Sequence, residues 1–217
     1  MKIAFAFFVK TPGKSPIKTR LSKTIGKEKA EKIFIEFIKN IEELKEKVLM
    51  INNEIDFYWA VGENEELNNP LWTSFPTIWT GNGGLGARMQ KVYNELLENY
   101  KIVFLCGSDS PGFEPSIFLK AIQKLKSNEI KLIFIPANDG GFCAIGGKEK
   151  LSENVWLDTE YSNNDTLKNF IKNISLPENQ IYFLPELIDV DTIEDLNLVV
   201  KNLNGKLKDN IKKILEE

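Results

Sequence analysis

The sequence predicts an α/β fold: a three-layer sandwich with a mainly parallel central sheet. Three observations carry that reading. Short runs of bulky apolar residues recur between turn formers, as in Ile102-Val-Phe-Leu-Cys106 ahead of Gly107-Ser-Asp-Ser-Pro-Gly112. Such runs suit strands buried on both faces, which belong to mainly parallel sheets covered by helices. Amphipathic stretches separate the runs, giving the alternation of right-handed βαβ units. Finally, the 217 residues are 42% apolar and contain no repeat, low-complexity tract or linker, so a single domain over 1–217 is expected.

Lys2–Val9 reads as the first strand and Lys10–Lys18 as the loop that follows. A long helix is expected over roughly Lys27–Met50, because Phe34, Phe37, Ile38, Ile41, Leu44 and Val48 fall on one stripe. Ile55–Val61 is the second strand, and Glu63–Phe75, polar and holding a proline, is a loop or short helix. Thr77–Thr80 forms a short third strand that leads through Gly81-Asn-Gly-Gly-Leu-Gly86 into a helix bearing Met89, Val92, Tyr93, Leu96 and Leu97. Ile102–Cys106 is the fourth strand, and Pro115–Lys126 is a helix with proline in its first turn, where no N–H is needed. Leu132–Ile135 and Phe142–Ile145 read as strands, Asn163–Asn173 as a helix and Ile181–Leu184 as a short extended piece. Thr192–Leu203 and Lys206–Leu215 close the chain as two amphipathic helices. The second half is the less regular, so a mixed-sheet portion is expected there.

Composition narrows the chemistry. With 28 basic and 31 acidic residues the net charge is −3, which speaks against a nucleic-acid partner. No apolar run reaches bilayer-spanning length, so no membrane partner is expected. The opening Met1–Lys10 has too short an apolar stretch and no small-residue cleavage site for a signal peptide, so a cytoplasmic location is expected. Cys106 and Cys143 fall inside strands and read as buried free thiols. Histidine is absent altogether. That excludes Ser-His-Asp and Cys-His nucleophile systems and any imidazole base. Acid–base and metal work is left to carboxylates, lysines or the substrate, and hard oxygen ligands favour Mg²⁺ or Mn²⁺ over zinc.

Five segments could carry that work. Lys10, Lys14, Lys18 and Arg20 crowd into one acid-free loop, a local reversal of sign in an acidic protein. A loop of this kind after a buried strand can wrap a di- or triphosphate, although a solvated surface loop has the same composition. Asp109 lies in a turn at the end of a buried strand, where open α/β sheets collect ligands. Asp189 and Asp191, two residues apart, project from one face if extended and can then reach one cation. Thr192 and Asp195 are better explained as the cap and first turn of a helix. Asn138-Asp-Gly-Gly-Phe142 admits two readings of equal weight: a type I′ hairpin turn, or a substrate-facing turn in which Asp139 and the glycines meet a ligand. Gly81–Arg88 resembles a glycine-rich phosphate loop, a weak signal taken alone, with Arg88 in the first turn of its helix better placed for a ligand than for the helix dipole.

In order along the chain, Phe8-Val-Lys10 to Lys18-Thr-Arg-Leu21, Leu85-Gly-Ala-Arg-Met89, Gly107-Ser-Asp-Ser-Pro-Gly112, Pro136-Ala-Asn-Asp-Gly-Gly-Phe142 and Asp189-Val-Asp-Thr-Ile-Glu-Asp-Leu196 resemble one known group. It comprises transferases with a glycosyltransferase-A-like (nucleotide-diphospho-sugar transferase) fold, sometimes called selenodomain-associated transferase 1. The Lys-Thr-Arg-Leu, Ser-Asp-x-Pro and Asp-Val-Asp-Thr pieces are also similar to phospholactate guanylyltransferase and, more distantly, molybdenum-cofactor guanylyltransferase. The resemblance implies a metal-dependent transferase acting on a nucleotide sugar or nucleoside triphosphate and a small-molecule acceptor. Glycosyl transfer leads. Nucleotidyl transfer to a small phosphorylated acid, or a nucleotide-binding module without turnover, stands as the alternative.

Carried onto matching positions, the resemblance implies that Lys10, Thr11, Pro12, Lys18, Arg20, Gly86, Arg88, Ser108 and Asp109 meet the nucleotide. Asp109, Asp191 and Asp189 would hold Mg²⁺ or Mn²⁺, and Asp139, Gly140 and Gly141 would meet the acceptor. Asp109, Lys18, Arg20 and Asp139 would form the catalytic set. Where the group usually has Gly-Asp-Leu-Gly, this chain has Gly83-Gly-Leu-Gly86, one carboxylate fewer.

Overall fold

The computed structural model describes residues 1–217. In chain order the strands are β1 (Ile3–Val9), β2 (Ile55–Val61), β3 (Thr77–Trp79), β4 (Ile102–Gly107), β5 (Leu132–Pro136), β6 (Phe142–Gly147) and β7 (Ile181–Phe183). The helices are α1 (Thr19–Ile25), α2 (Lys27–Leu49), α3 (Leu85–Leu97), α4 (Pro115–Lys126), α5 (Glu153–Leu157), α6 (Thr166–Lys172), α7 (Ile193–Asn202) and α8 (Lys206–Glu216).

The first strand shows how the layers arise. Side chains alternate across a strand, so Ile3, Phe5, Phe7 and Val9 join one buried cluster with α2 and α4, while Ala4 and Ala6 join another with α3 and α5. Phe5 stacks on Phe104 of β4 at 4.4 Å between ring centroids and meets Phe118 of α4 edge-on at 4.5 Å. Each such side chain, fully withdrawn from water, contributes roughly 1.5–3 kcal/mol. A third cluster joins α1 and α2 to α7 and α8 through Leu21, Phe37, Leu196 and Ile211. No helix is long and apolar enough to cross a membrane.

The seven strands run in the order β3-β2-β1-β4-β6-β5-β7. All neighbouring pairs are parallel except those of β6, which is antiparallel to both β4 and β5. The mainly parallel three-layer reading therefore holds, and the mixed part falls in the second half as expected. Because β2 and β4 flank β1 on opposite sides, the winding reverses between β1 and β4. That reversal opens a crevice at the carboxyl edge of the sheet.

Two short helices have no counterpart in the sequence reading. In α1 only Leu21 is buried, and in α5 only Val155 and Trp156, so neither carries a full apolar stripe. The turn between β5 and β6 also departs from type I′. Its Gly140 N–H donates to Ala137 O, and Gly140 is the one residue of the turn with positive φ (87°). A type I′ turn needs positive φ at both central residues, and Asp139 does not supply it.

Candidate functional site

The loops after β1 and β4 meet at the switch point. Lys18, the residue before α1, adopts the left-handed conformation (φ 48°, ψ 46°), which is costly for a residue with a Cβ. That twist sends its side chain inward: the ammonium is 1% exposed and lies 2.8 Å from Asp109 Oδ1, whose side chain is 37% exposed. The approach is an ion pair without hydrogen-bond alignment, since Asp109 Oδ1 has no hydrogen-bond partner. The same ammonium donates to the Val190 carbonyl oxygen.

Val190 belongs to an extended segment stitched along the ends of β4 and β5. Leu187 N–H donates to Pro136 O, Asn138 N–H to Leu187 O, and Val190 N–H to Asp109 O. Asn138 adds a second tie, accepting from Asp189 N–H at 2.9 Å and donating to Asp195 Oδ1 at 3.2 Å. Past the segment, Thr192 and Asp195 form a reciprocal capping box at the start of α7, the structural role expected for them. The stitching delivers Asp189 and Asp191 to the site.

Four carboxylates gather there: Asp109, Asp139, Asp189 and Asp191. Burial, reinforced by the Asp109 carboxylate, pushes Asp189 up to about 7, and the Lys18 ammonium only partly offsets this. Asp191 is raised as well, by burial first, against the pull of Lys18. Asp189 Oδ1 is buried without a hydrogen-bond partner. Crowded carboxylates with unsatisfied oxygens and raised proton affinity form a set that a hard divalent cation relieves. No three such side chains already converge on a single point. An ion here would use one or two carboxylates and complete its shell with phosphate and water, as Mg²⁺ commonly does.

Two cavities adjoin at this wall. The smaller, about 360 Å³, is lined by Lys10, Lys18 and Arg88 together with Asp109 and Asp191. The larger, about 560 Å³, carries all four carboxylates with Lys10 and Arg20 as its cations, and its other walls include Phe142 and Tyr161. Lys10, Ser108, Asp109 and Asp191 border both. Arg20, 63% exposed, lies 3.3 Å from Asp191 Oδ2. Asp139 accepts from Gly141 N–H at 2.9 Å through Oδ1. Both cysteines are free and buried, and burial pushes the Cys143 thiol up to about 12, so it is no thiolate nucleophile.

Several residues expected at a ligand serve the scaffold instead. Thr11, buried, accepts a hydrogen bond from Trp72 Nε1 at 3.1 Å, and its N–H donates to Glu63; neither it nor Pro12 borders either cavity. Gly86 also lies off both, and a Cβ there would overlap the Trp156 carbonyl oxygen of α5, so helix packing is what requires glycine. Gly140 likewise borders neither cavity, and a Cβ there would overlap Asn164 O. Arg88 borders the smaller cavity but spends donors on Gly83 O, Gly62 O and Thr80 Oγ1, clasping the loops around it. Residues that sequence reasoning did not put forward complete the larger cavity: Phe8, Met89 and Leu105 from sheet and helix, and Tyr161–Asn164 from the loop before α6. The non-glycine positive φ of Ser162 (62°) marks that loop, but it becomes visible only in three dimensions.

The signature of the family described as "Uncharacterized protein conserved in bacteria (DUF2064)" matches residues 51–163. No curated protein matches the chain. Among solved structures, the chain is similar to a protein of Desulfovibrio desulfuricans G20 assigned as a nucleotide-diphospho-sugar transferase: 23% identity, TM-score 0.84, covering 100% of this chain and 98% of that one. It is also similar to 4-diphosphocytidyl-2C-methyl-D-erythritol synthase of Anaerococcus prevotii, at 12% identity and TM-score 0.55, covering 91% of this chain and 93% of that one. A third is glucosyl-3-phosphoglycerate synthase of Mycobacterium tuberculosis, solved with Mn²⁺, UDP and phosphoglyceric acid: 10% identity, TM-score 0.51, covering 90% of this chain and 73% of that one. At these identities the likeness establishes the nucleotide-diphospho-sugar transferase fold, in agreement with the sequence expectation.

Proposed function

The chain belongs to the DUF2064 family, and on that premise we propose that it is a metal-dependent transferase using a nucleotide-activated donor, with glycosyl transfer from a nucleotide-diphospho-sugar as its reaction. The observation that carries this reading is the meeting of a cation-lined and a carboxylate-lined cavity at Asp109 and Asp191. The smaller cavity takes the nucleotide, with the diphosphate at the shared wall, where Lys10 and, from the larger cavity's side, the Arg20 paired with Asp191 can grip it. Arg20 is held by a single exposed ion pair and can exchange Asp191 for phosphate oxygens at little cost. Lys18 fixes Asp109 rather than reaching for phosphate, because its ammonium is already enclosed.

Asp109 and Asp191, with Asp189 beside them, are the residues to hold Mg²⁺ or Mn²⁺; the oxygen-only donor set and the unsatisfied Asp189 Oδ1 favour such an ion. When bound, the ion supplies charge neutralisation of the departing diphosphate. Asp139 keeps Oδ2 free to accept the proton of an acceptor hydroxyl while its Oδ1 is fixed by Gly141. The rest is positioning: two substrates held on either side of one wall, with the reacting atoms brought together there.

Nucleotidyl transfer is the second reading, supported by the likeness to 4-diphosphocytidyl-2C-methyl-D-erythritol synthase. It asks more of the protein, because a triphosphate needs more cations than this site leaves free. Lys14 borders neither cavity, and the Lys18 side chain is enclosed against Asp109. Incubation with nucleotide sugars or nucleoside triphosphates plus Mg²⁺ separates the two readings. Free nucleoside diphosphate is the expected product. Pyrophosphate would replace glycosyl with nucleotidyl transfer, and tight binding with neither product would leave a binding module.

A further inference from the structure

We infer that the acceptor in the larger cavity is an uncharged, polyhydroxylated molecule, a sugar or polyol bearing neither phosphate nor carboxylate. This deepens the transferase reading and rests on it. The charge layout of the cavity leads there. Its cations, Lys10 and Arg20, stand at the end where Lys10 and Asp191 form the wall shared with the donor cavity. A donor diphosphate claims both. Elsewhere its lining holds no cation: Asp139 and Asp189 stand with Tyr161, Ser162, Asn163 and Asn164. An anionic acceptor would have to enter among four carboxylates with no cation to meet it, and like charges at close range repel.

The remaining groups suit hydroxyls. Asp139 Oδ2 can accept one, since only Oδ1 is engaged by Gly141 N–H. Asn163 spends its amide within its own loop, on Glu160 O and Asp165 N–H. Asn164 borders the cavity and offers both a donor and an acceptor. Tyr161 turns its hydroxyl inward, donating to Trp156 O at 3.0 Å, so its ring is fixed. With Phe142 and Met89 it provides an apolar wall of the kind that takes the C–H face of a sugar ring. A purely apolar acceptor would strand Asp139 and Asn164 without partners.

The transfer balances without a further reactant. The acceptor oxygen forms the new bond to the anomeric carbon, the bond from that carbon to the diphosphate breaks, and the hydroxyl proton passes to Asp139.

The test starts with calorimetry of the full chain against a panel of nucleotide sugars with Mn²⁺. Nucleoside diphosphate release is then followed with acceptors in matched pairs: glycerol against glycerol 3-phosphate, free monosaccharides against their phosphates, and methyl glycosides against uronic acids. The expected result is stimulation by the neutral member over its charged partner by about tenfold or more, the factor a difference of 1.4 kcal/mol produces. Equal or greater stimulation by the charged members, or by neither class while donor binds, overturns the inference and leaves donor use standing. Absence of donor binding sinks the transferase reading and the inference with it. As a second arm, Asn164→Lys should shift preference toward the phosphorylated member by about fivefold, the scale of an exposed ion pair. An unchanged ratio would mean that the acceptor does not lie at this end.

Discussion

On one side of β1 the strands β2 and β3 all run parallel, and the cavity at their carboxyl edge is bordered by Lys10, Lys18 and Arg88. On the other side an antiparallel strand, β6, intervenes, and the cavity is bordered by Asp109, Asp139, Asp189 and Asp191. The difference in chain direction underlies the difference in chemistry. Parallel strands need long crossovers, so each contributes to the site edge only the loop that starts its return. A hairpin turns back at that edge, and the turn between β5 and β6 keeps Asp139 there, with Asn138 tied to Asp189 and Asp195. One half of the sheet thus adds Lys18 and Arg88 from loops and helix, the other adds Asp139 and Asp189 from a turn and a stitched segment, and Lys10, Asp109 and Asp191 stand at the wall between them.

The largest expected effect breaks the wall between the two. Asp109→Asn should lower kcat/KM for metal-dependent transfer by about a hundredfold or more, the scale of losing one fixed electrostatic group. It should also destabilise the fold, because Lys18, its side chain 1% exposed, would lose the negative charge of its ion-pair partner. Breaking a fully buried pair costs roughly 3–5 kcal/mol; Asp109 is 37% exposed, so about 2 kcal/mol is expected. Adding Lys18→Met should return most of the melting temperature and none of the activity. A double variant as unstable as the single one would show that the pair does not hold the wall together.

Two substitutions, one on each side, sharpen the contrast. Asp139→Ala should reduce transfer by about a hundredfold, within the range for a lost acid–base group, with donor affinity by calorimetry unchanged. Arg20→Ala should do the reverse, weakening nucleoside diphosphate binding by about tenfold and nucleoside binding hardly at all. Equal loss for diphosphate and nucleoside would make Arg20 structural. Its side chain is 63% exposed, so a melting shift within about 0.5 kcal/mol is expected.

The smallest effect is a pH dependence. Asp189 is pushed up to about 7 by burial and by Asp109, whereas an unfolded aspartate titrates near ~4. Between those values the native state holds a proton that the unfolded chain has released. Stability therefore falls as pH rises through that window and levels off above about 7. Asp189→Asn should remove the slope, gaining about 5 °C over the parent at pH 8 and nothing at pH 4. Mn²⁺ at pH 8 should raise the parent's melting temperature more than the variant's. Parallel melting curves for the two proteins across this range would contradict the reading of a crowded carboxylate.

Much of this layout was legible in the residues. β2 and α4 run over the predicted spans, because apolar runs, helical stripes and turn formers agree there. The acids were legible too: Asp109 and Asp139 sit just beyond strands, where the fold puts its crevice, and Asp191 directly precedes the capping residue of α7. What escaped depends on neighbours distant in sequence. Gly86 reads as a phosphate-loop glycine until the Trp156 carbonyl is seen against it, and Thr11 as a ligand contact until the Trp72 indole is. The short α1 hides because a single buried leucine gives no period. The enclosure of Lys18 follows from a left-handed backbone that no pattern of lysine announces.

The hydrogen bond from Lys18 to Val190 spans 172 positions of the chain. Contacts of such separation form late, after the loop they close has been ordered. During synthesis, β1 and its basic loop leave the ribosome long before the segment that completes their pocket. The emerging polypeptide therefore lacks a finished site until residues through Asp191 are free to dock.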